Sequence, residues 1–443
     1  MSHGHDAHFP TREELAALIT KPVSPRLKQV SLLLAALGML TFLIGVVTGQ
    51  PRAWQAWHVN WLFFTVMASA GVLISAVQRI TTARWSRAVI RITEGFAAFL
   101  PVAFVMLLLT VLVGKTHIFP WTHEAPTIPE KHLWLDPTFW SIRTIVTFGL
   151  ITGLSLWFVW TSVRLDVGIL PEWGSNWARG LRARMRAGFG DERRELHSTH
   201  SLQGKLAVAL ALLFGFGWVM LSWDLSMTID THFQSTMYGW QFFIGGLLGL
   251  IMMWSLFARY WRRQLGAHDV ITETHLHDIG KLCFGLTAFW GYLTFSQLLV
   301  IWYGNMPEET HFFRLRTIAP WTPLTLSVVI LTFVLPFFGL LGKYPKIFTP
   351  TMALFASTSL LGLWIHRYLE IYPVIHQQTV ASVPIGLWEV GTTVGFAGIF
   401  GFCYFVFMDA FPRMRVFMLT SPYRDEVQVP VDPKTMEPLP AHE

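Results

Sequence analysis

Ten stretches of nearly unbroken apolar residues run along the chain, at 29–49, 59–77, 94–113, 139–161, 204–223, 238–257, 280–301, 321–341, 350–370 and 387–408. Each is close to the roughly 20 residues that a helix needs to cross the hydrocarbon core of a bilayer. Inside lipid each backbone N–H and C=O must be satisfied within its own segment, which selects helices. The pattern predicts an all-α integral membrane protein with ten transmembrane helices. A polar arm, 1–28, precedes the first run; no small-residue cleavage site follows that run, so it reads as a retained helix rather than a signal peptide.

Ten crossings place both ends on one side. Of the 33 Lys and Arg residues, 26 fall in the two terminal arms and in the connections after the even-numbered segments. The opposite side holds Arg52, Lys115, Lys131, Arg143, Arg314 and Arg316, and Arg367 lies inside the ninth segment. The positive-inside rule then makes both termini cytoplasmic. WARGLRARMRAGFGDERRE, after the fourth segment, reads as a basic surface helix on anionic lipid head groups rather than a nucleic-acid site. The start SHGHDAH reads as disordered, and the Pro-rich tail SPYRDEVQVPVDPKTMEPLP as an extended arm along a partner subunit.

Composition agrees: 53% hydrophobic and 14% charged residues, with 21 Trp, is too apolar for a soluble chain of 443 residues. Both cysteines, Cys283 and Cys403, fall inside apolar runs, and no CxxC or CxxCH occurs. The chain is therefore expected to carry no iron–sulfur cluster, attached c-type haem or structural disulfide of its own. A b-type haem needs axial histidines deep in two helices, and only His366 sits well inside a run.

Polar residues gather at the outer ends of the second half. The stretch FSQLLVIWYGNMPEETHFFRLR keeps Gln297 inside an apolar run and sets Glu308 and Glu309 just past its end. Near it in the pattern come Asp224, Asp230, His232, then His366, Arg367 and Glu370 in HRYLE, and Glu389 one turn into the last segment. His366 and Glu370 share a helical face, and Arg367 is placed to pair with Glu370. The plainer reading is that Arg367 and Glu370 neutralise each other while His366 packs in the bundle. Several carboxylates at one membrane face also mark a wet cavity or proton path, so the seven residues Asp224, Asp230, His232, Gln297, His366, Glu370 and Glu389 form a candidate outer path.

On the cytoplasmic side, HDVITETHLHDIGK brings His275, His277 and Asp278 together, and Glu94 opens the third segment. These four form a candidate inner path, with a hydrogen-bonded helix start as the simpler reading. The HxH spacing is a weak metal signal, and no metal is expected. In the first half, His58 and His123 stand among aromatics at the outer ends, a candidate quinone-head-group site and also the ordinary composition of an interfacial belt.

Three runs carry a resemblance. TETHLHDIGKLCFGLTAFWGYLTFSQLLVIWYGNMPEET resembles the seventh-helix signature of the NrfD/PsrC-like (polysulfide reductase membrane subunit) proteins. SWDLSMTIDTHFQSTMYG resembles their helix 5–6 connection, and VNWLFFTVMASAGVLISAVQRITTARWSRAVIRITEGFAAFLPV their helices 2 and 3. The chain is most similar to the second, ActF-type membrane subunit of bacterial alternative complex III, a quinol:cytochrome c (or other high-potential acceptor) oxidoreductase.

The resemblance implies a membrane domain over 29–408, with four-helix bundles at 59–223 and 238–370 flanked by helices 1 and 10, and a cytoplasmic tail at 409–443. It implies a multi-pass protein of the bacterial inner membrane, without a redox cofactor of its own, that anchors periplasmic redox subunits and conducts protons. The implied partners are a sister NrfD-like subunit, a periplasmic molybdopterin-oxidoreductase-like iron–sulfur subunit, c-type cytochromes carrying haem c, and lipids. Quinol or menaquinol oxidation falls mainly to the sister. A direct quinol-binding subunit and a secondary transporter are the alternative readings.

Overall fold

The computed structural model describes residues 11–19, 21–123, 128–376 and 382–427. The His-rich start and the distal tail, 428–443, lie outside the described residues. The chain forms ten long helical segments: α1 Pro25–Val47, α2 Pro51–Ile80, α3 Ile90–Ile118, α4 Pro137–Ile169, α5 Glu192–Leu225, α6 Thr236–Leu265, α7 Glu273–Gly304, α8 Thr322–Gly339, α9 Thr349–Ile375 and α10 Leu387–Ala410. Among the described residues no strand occurs. Every one of these segments except α9 is long and apolar enough to cross a membrane. The exception is the helix that carries Ser357, Thr358, Ser359, His366, Arg367 and Glu370, polar residues that lower its mean hydropathy. The protein is an all-α, multi-pass membrane protein.

Local chemistry sets the helix ends. Pro stands in the first turn of α1, α2 and α4, where its missing N–H costs nothing and its fixed φ suits the helix. Asp136 caps α4 by accepting from the N–H of Thr138 and Phe139, and Gly266 ends α6 in the left-handed region. The middles of α3 and α8 each contain a π-bulge, at Thr110–Gly114 and Val329–Val334. The first is held by Thr110, whose hydroxyl accepts from Trp57 Nε1 at 3.0 Å.

α2 is the axis: its whole apolar window is buried, and it packs against α5, α6, α9 and α10. α4 packs on α5, α6 on α7 and α9, and α8 on α9. Leucines and valines on α1, α3, α4, α7 and α8, such as Leu33, Leu112, Leu150, Val300 and Leu326, stay exposed, as lipid-facing positions must.

α10 lies along α1 through a seam of small residues, with 391-GTTVG-395 supplying the spacing of a close helix crossing. A Cβ at Gly38 would fall 2.1 Å from Gly395 Cα, and one at Gly398 would fall 2.2 Å from Ala35 N. Neither backbone can yield without the helices separating. Gly398→Val is expected to cost about 1–3 kcal/mol or more in detergent unfolding, whereas Gly285→Ala, with open space around it, stays near wild type. Equal stability of the two variants would refute this packing.

The proximal tail does not run outward. After α10 it folds over the ends of α2, α3 and α4, with Val416 and Phe417 fully buried and Phe417 N donating to Asp166 Oδ1 at 2.7 Å. The reason is electrostatic: Arg415 pairs with the buried Glu94 carboxylate and also donates to the Ser75 hydroxyl. The basic connection also departs from a free surface helix. Arg182, in the short helix Arg179–Arg186, is buried and bonds Glu172 at 2.7 Å and 2.9 Å, while Arg186 pairs with the same carboxylate.

Candidate functional site

The start of α6, the end of α7 and the end of α9, with the short helix Pro307–Thr317 beside them, enclose a cavity of about 100 Å³. Tyr238, Trp290, Gln297, Arg316, His366 and Glu370 line it among apolar side chains. α9 sets its chemistry through one turn of sequence, HRYLE. Arg367 lies three residues before Glu370, so one guanidinium nitrogen reaches both carboxylate oxygens at 2.7 Å. Its other terminal nitrogen donates to Phe242 O at 3.2 Å, and the group stacks 3.6 Å from the Phe242 ring. Both members of the pair are nearly sealed from solvent, at 2% and 4% exposure.

His366 follows the same face. Its Nδ1 stands 3.5 Å from Glu370 Oε1, too far and too poorly aimed to bond, and it has no other partner. Trp290 Nε1, whose ring meets His366 edge-on at 5.6 Å, is unpartnered too. Arg316 Nη2 donates to Glu370 O at 3.0 Å, and the Ser226 hydroxyl reaches Glu370 Oε2 at 3.4 Å while bonding Tyr238 at 2.5 Å. Gln297 turns toward Ser235 at 3.4 Å. A largely apolar cavity with unpartnered ring nitrogens beside a carboxylate has room and polar partners for a few water molecules.

The structure thus brings together Gln297, His366 and Glu370 and separates the other outer-path residues. Asp224 is clamped by Arg143 at 2.7 Å and 2.8 Å, with Arg143 stacked 3.7 Å from the Trp134 ring, an intersubstructure brace between α4 and α5. Glu389 is held by Arg52 at 2.7 Å and 2.9 Å, by the Tyr372 hydroxyl at 2.9 Å and by Gly386 N at 2.8 Å. It anchors the start of α10. Asp230 borders a separate cavity of about 310 Å³ beside Trp134, Trp223 and Phe233, and its Oδ2 lacks a partner. His232 and Glu308 are exposed, and Glu309 is half-buried.

The inner residues divide as well. Glu94 is fully buried, and Arg91, Arg415, Ser75 and Ser162 all bond it. Arg91 also bonds Asp166 and Ser162 O, so two carboxylates share a dry guanidinium. His275 instead caps α7, its Nδ1 lying 3.2 Å from Thr272 N and 2.9 Å from Thr272 Oγ1. Asp278 pairs with Lys281 at 2.7 Å, and His277 is half-buried next to them. None of the three bonds Glu94, and no metal-holding group of His, Cys, Asp and Glu occurs among the described residues.

His58 is wholly buried with Nε2 on Leu225 O at 2.6 Å, which fixes that nitrogen as the donor and leaves Nδ1 unpartnered. His123 is exposed and bonds Thr116 O at 2.8 Å. Sequence reasoning missed Trp290, Arg316 and the Arg91 and Asp166 pair. Arg91 had a signal, since 91-RITE-94 repeats the Arg-to-Glu spacing of 367-RYLE-370 and joins it to Glu94; Asp166 had none.

Fold and site together define a multi-pass helical membrane protein with a small cavity among its later helices that holds a buried ion pair and a histidine. No protein-family model matches the chain, and no curated protein matches it.

Proposed function

We propose that the chain is a membrane subunit of a quinol-oxidising complex of the alternative complex III kind, resembling its second NrfD-like subunit. In this reading it crosses the bacterial inner membrane ten times with both termini cytoplasmic, as bundles α2–α5 and α6–α9 flanked by α1 and α10. It anchors periplasmic iron–sulfur and c-type cytochrome subunits beside a sister subunit and moves protons near its outer face. The observation that carries the proton role is the cavity in which an unpartnered His366 Nδ1 faces the Glu370 carboxylate. An imidazole with a free ring nitrogen exchanges protons with a neighbouring carboxylate through water when both face one cavity. Glu389 and Asp224 serve as braces in this reading, because each is held by an arginine and neither lines the cavity that Glu370 shares with His366.

Purification in mild detergent tests the assembly. Co-purification of haem c and iron–sulfur proteins is expected; a colourless single species that catalyses solute exchange would favour a secondary transporter instead. His366→Phe tests the proton role. The Arg367 and Glu370 pair does not depend on His366, so assembly and turnover are expected to survive while protons released per electron fall in reconstituted vesicles. An unchanged ratio at unchanged turnover would remove His366 from the path.

A further inference from the structure

Where the N-terminal arm meets the exit of α10, a second polar cavity opens at the face that carries most of the basic residues. It has a volume of about 290 Å³ and is bordered by Lys21, Trp173, Ser175, Asp409 and Arg413. Its charges do not balance. Asp409 is already satisfied, bonded by Lys28 at 2.9 Å and by the Ser175 hydroxyl. Arg413 is only 3% exposed, yet among the described residues no carboxylate lies within ion-pair distance of it. It donates Nε to Met408 O at 3.0 Å and rests 4.8 Å from the Trp261 ring. Burial pulls it down to about 10, which leaves it cationic at neutral pH. Lys21 likewise bonds a backbone carbonyl, Leu265 O at 2.6 Å, and no carboxylate.

Two cations therefore border one cavity whose only carboxylate is taken by a third. A buried guanidinium whose one carboxylate neighbour, Asp409, is out of ion-pair reach and already paired with Lys28 is costly, and an anion completes it. Guanidinium and ammonium together suit a phosphate oxygen set, one as a fork and one as a point charge. Trp173 adds an apolar wall with an interfacial character, and the cavity has room for more than a bare phosphate group.

We infer that the Lys21 and Arg413 cavity is a binding site for a phosphate group, taken from an anionic phospholipid of the adjoining leaflet or from free phosphate. A lipid seated there ties the N-terminal arm, the α4–α5 connection and the end of α10 to the bilayer surface. This inference does not depend on the proton role proposed above.

The test uses the full-length chain, delipidated in detergent, and follows thermal unfolding and lipid retention by native mass spectrometry. Vesicle-derived phosphatidylglycerol, phosphatidylcholine and inorganic phosphate are added separately. Phosphatidylglycerol is expected to stabilise wild type and to be retained, with phosphatidylcholine ineffective. Lys21→Gln and Arg413→Gln should each weaken that binding by about fivefold, the weight of one basic residue at an anionic lipid surface. Lys21 is exposed, so its variant folds even where Arg413→Gln does not. Stabilisation by inorganic phosphate alone would assign the site to the soluble anion; stabilisation by the lipid alone would assign it to the leaflet. Equal binding of phosphatidylglycerol by wild type and Lys21→Gln, or equal effects of the anionic and zwitterionic lipids, would overturn the inference.

Discussion

Arg91→Ala is expected to lose about 3–5 kcal/mol of stability and to accumulate poorly, the largest effect of any single substitution outside the cavity. Arg91 is fully buried and is the shared cation of Glu94 and Asp166, both of which are equally dry. Without it Arg415 alone faces two carboxylates, and it reaches Glu94 from the proximal tail rather than from a membrane helix. The damage would therefore spread: Asp166 also receives Phe417 N, so the tail loses its seat when that carboxylate becomes protonated or moves. Detergent unfolding of the purified chain measures the effect. Arg91→Lys keeps the charge but not the fork that spans Glu94, Asp166 and Ser162 O, and should fall between wild type and alanine. If Arg91→Ala unfolded within about 1 kcal/mol of wild type, the cluster would be wetter and looser than its geometry implies.

Much of this fold was legible because lipid imposes a crude rule. Apolar runs of about 20 residues must become helices, and every run from 29–49 to 387–408 lies in or across one of the long helices. The α9 pair was legible too, since Arg367 and Glu370 sit within one turn and local spacing alone joins them. What escaped the sequence were pairings between distant helices. Arg52 meets Glu389 across 337 positions and Arg143 meets Asp224 across 81, and nothing in either local pattern distinguishes a braced carboxylate from a titrating one. His58 and His123 illustrate the same limit, for both lie at outer helix ends in the pattern while one is sealed under Leu225 and the other exposed. The Gly391 and Gly395 spacing was present in the sequence, and its meaning came only with α1 laid against it.

Neutralising the two best-placed outer carboxylates should have unequal consequences, and the inequality separates support from transport. Glu389→Gln leaves Arg52 without its ion pair, but Arg52 is 31% exposed and also bonds Pro384 O, so water compensates part of the loss. Glu370→Gln orphans Arg367 at 2% exposure, where the Phe242 carbonyl and ring remain its chief partners. The expected cost is about 3–5 kcal/mol for Glu370→Gln and roughly 1–2 kcal/mol for Glu389→Gln, read from unfolding in detergent. A failed fold would hide any role in proton movement, so the decisive variant removes both charges at once. Arg367→Met with Glu370→Leu replaces a dry ion pair by apolar groups of similar bulk, which commonly restores stability. If that double variant assembles, turns over and still releases a full complement of protons per electron, the Glu370 carboxylate is structural. A fall in that ratio at normal abundance and turnover places it on the path with His366, because the fold would no longer account for the loss.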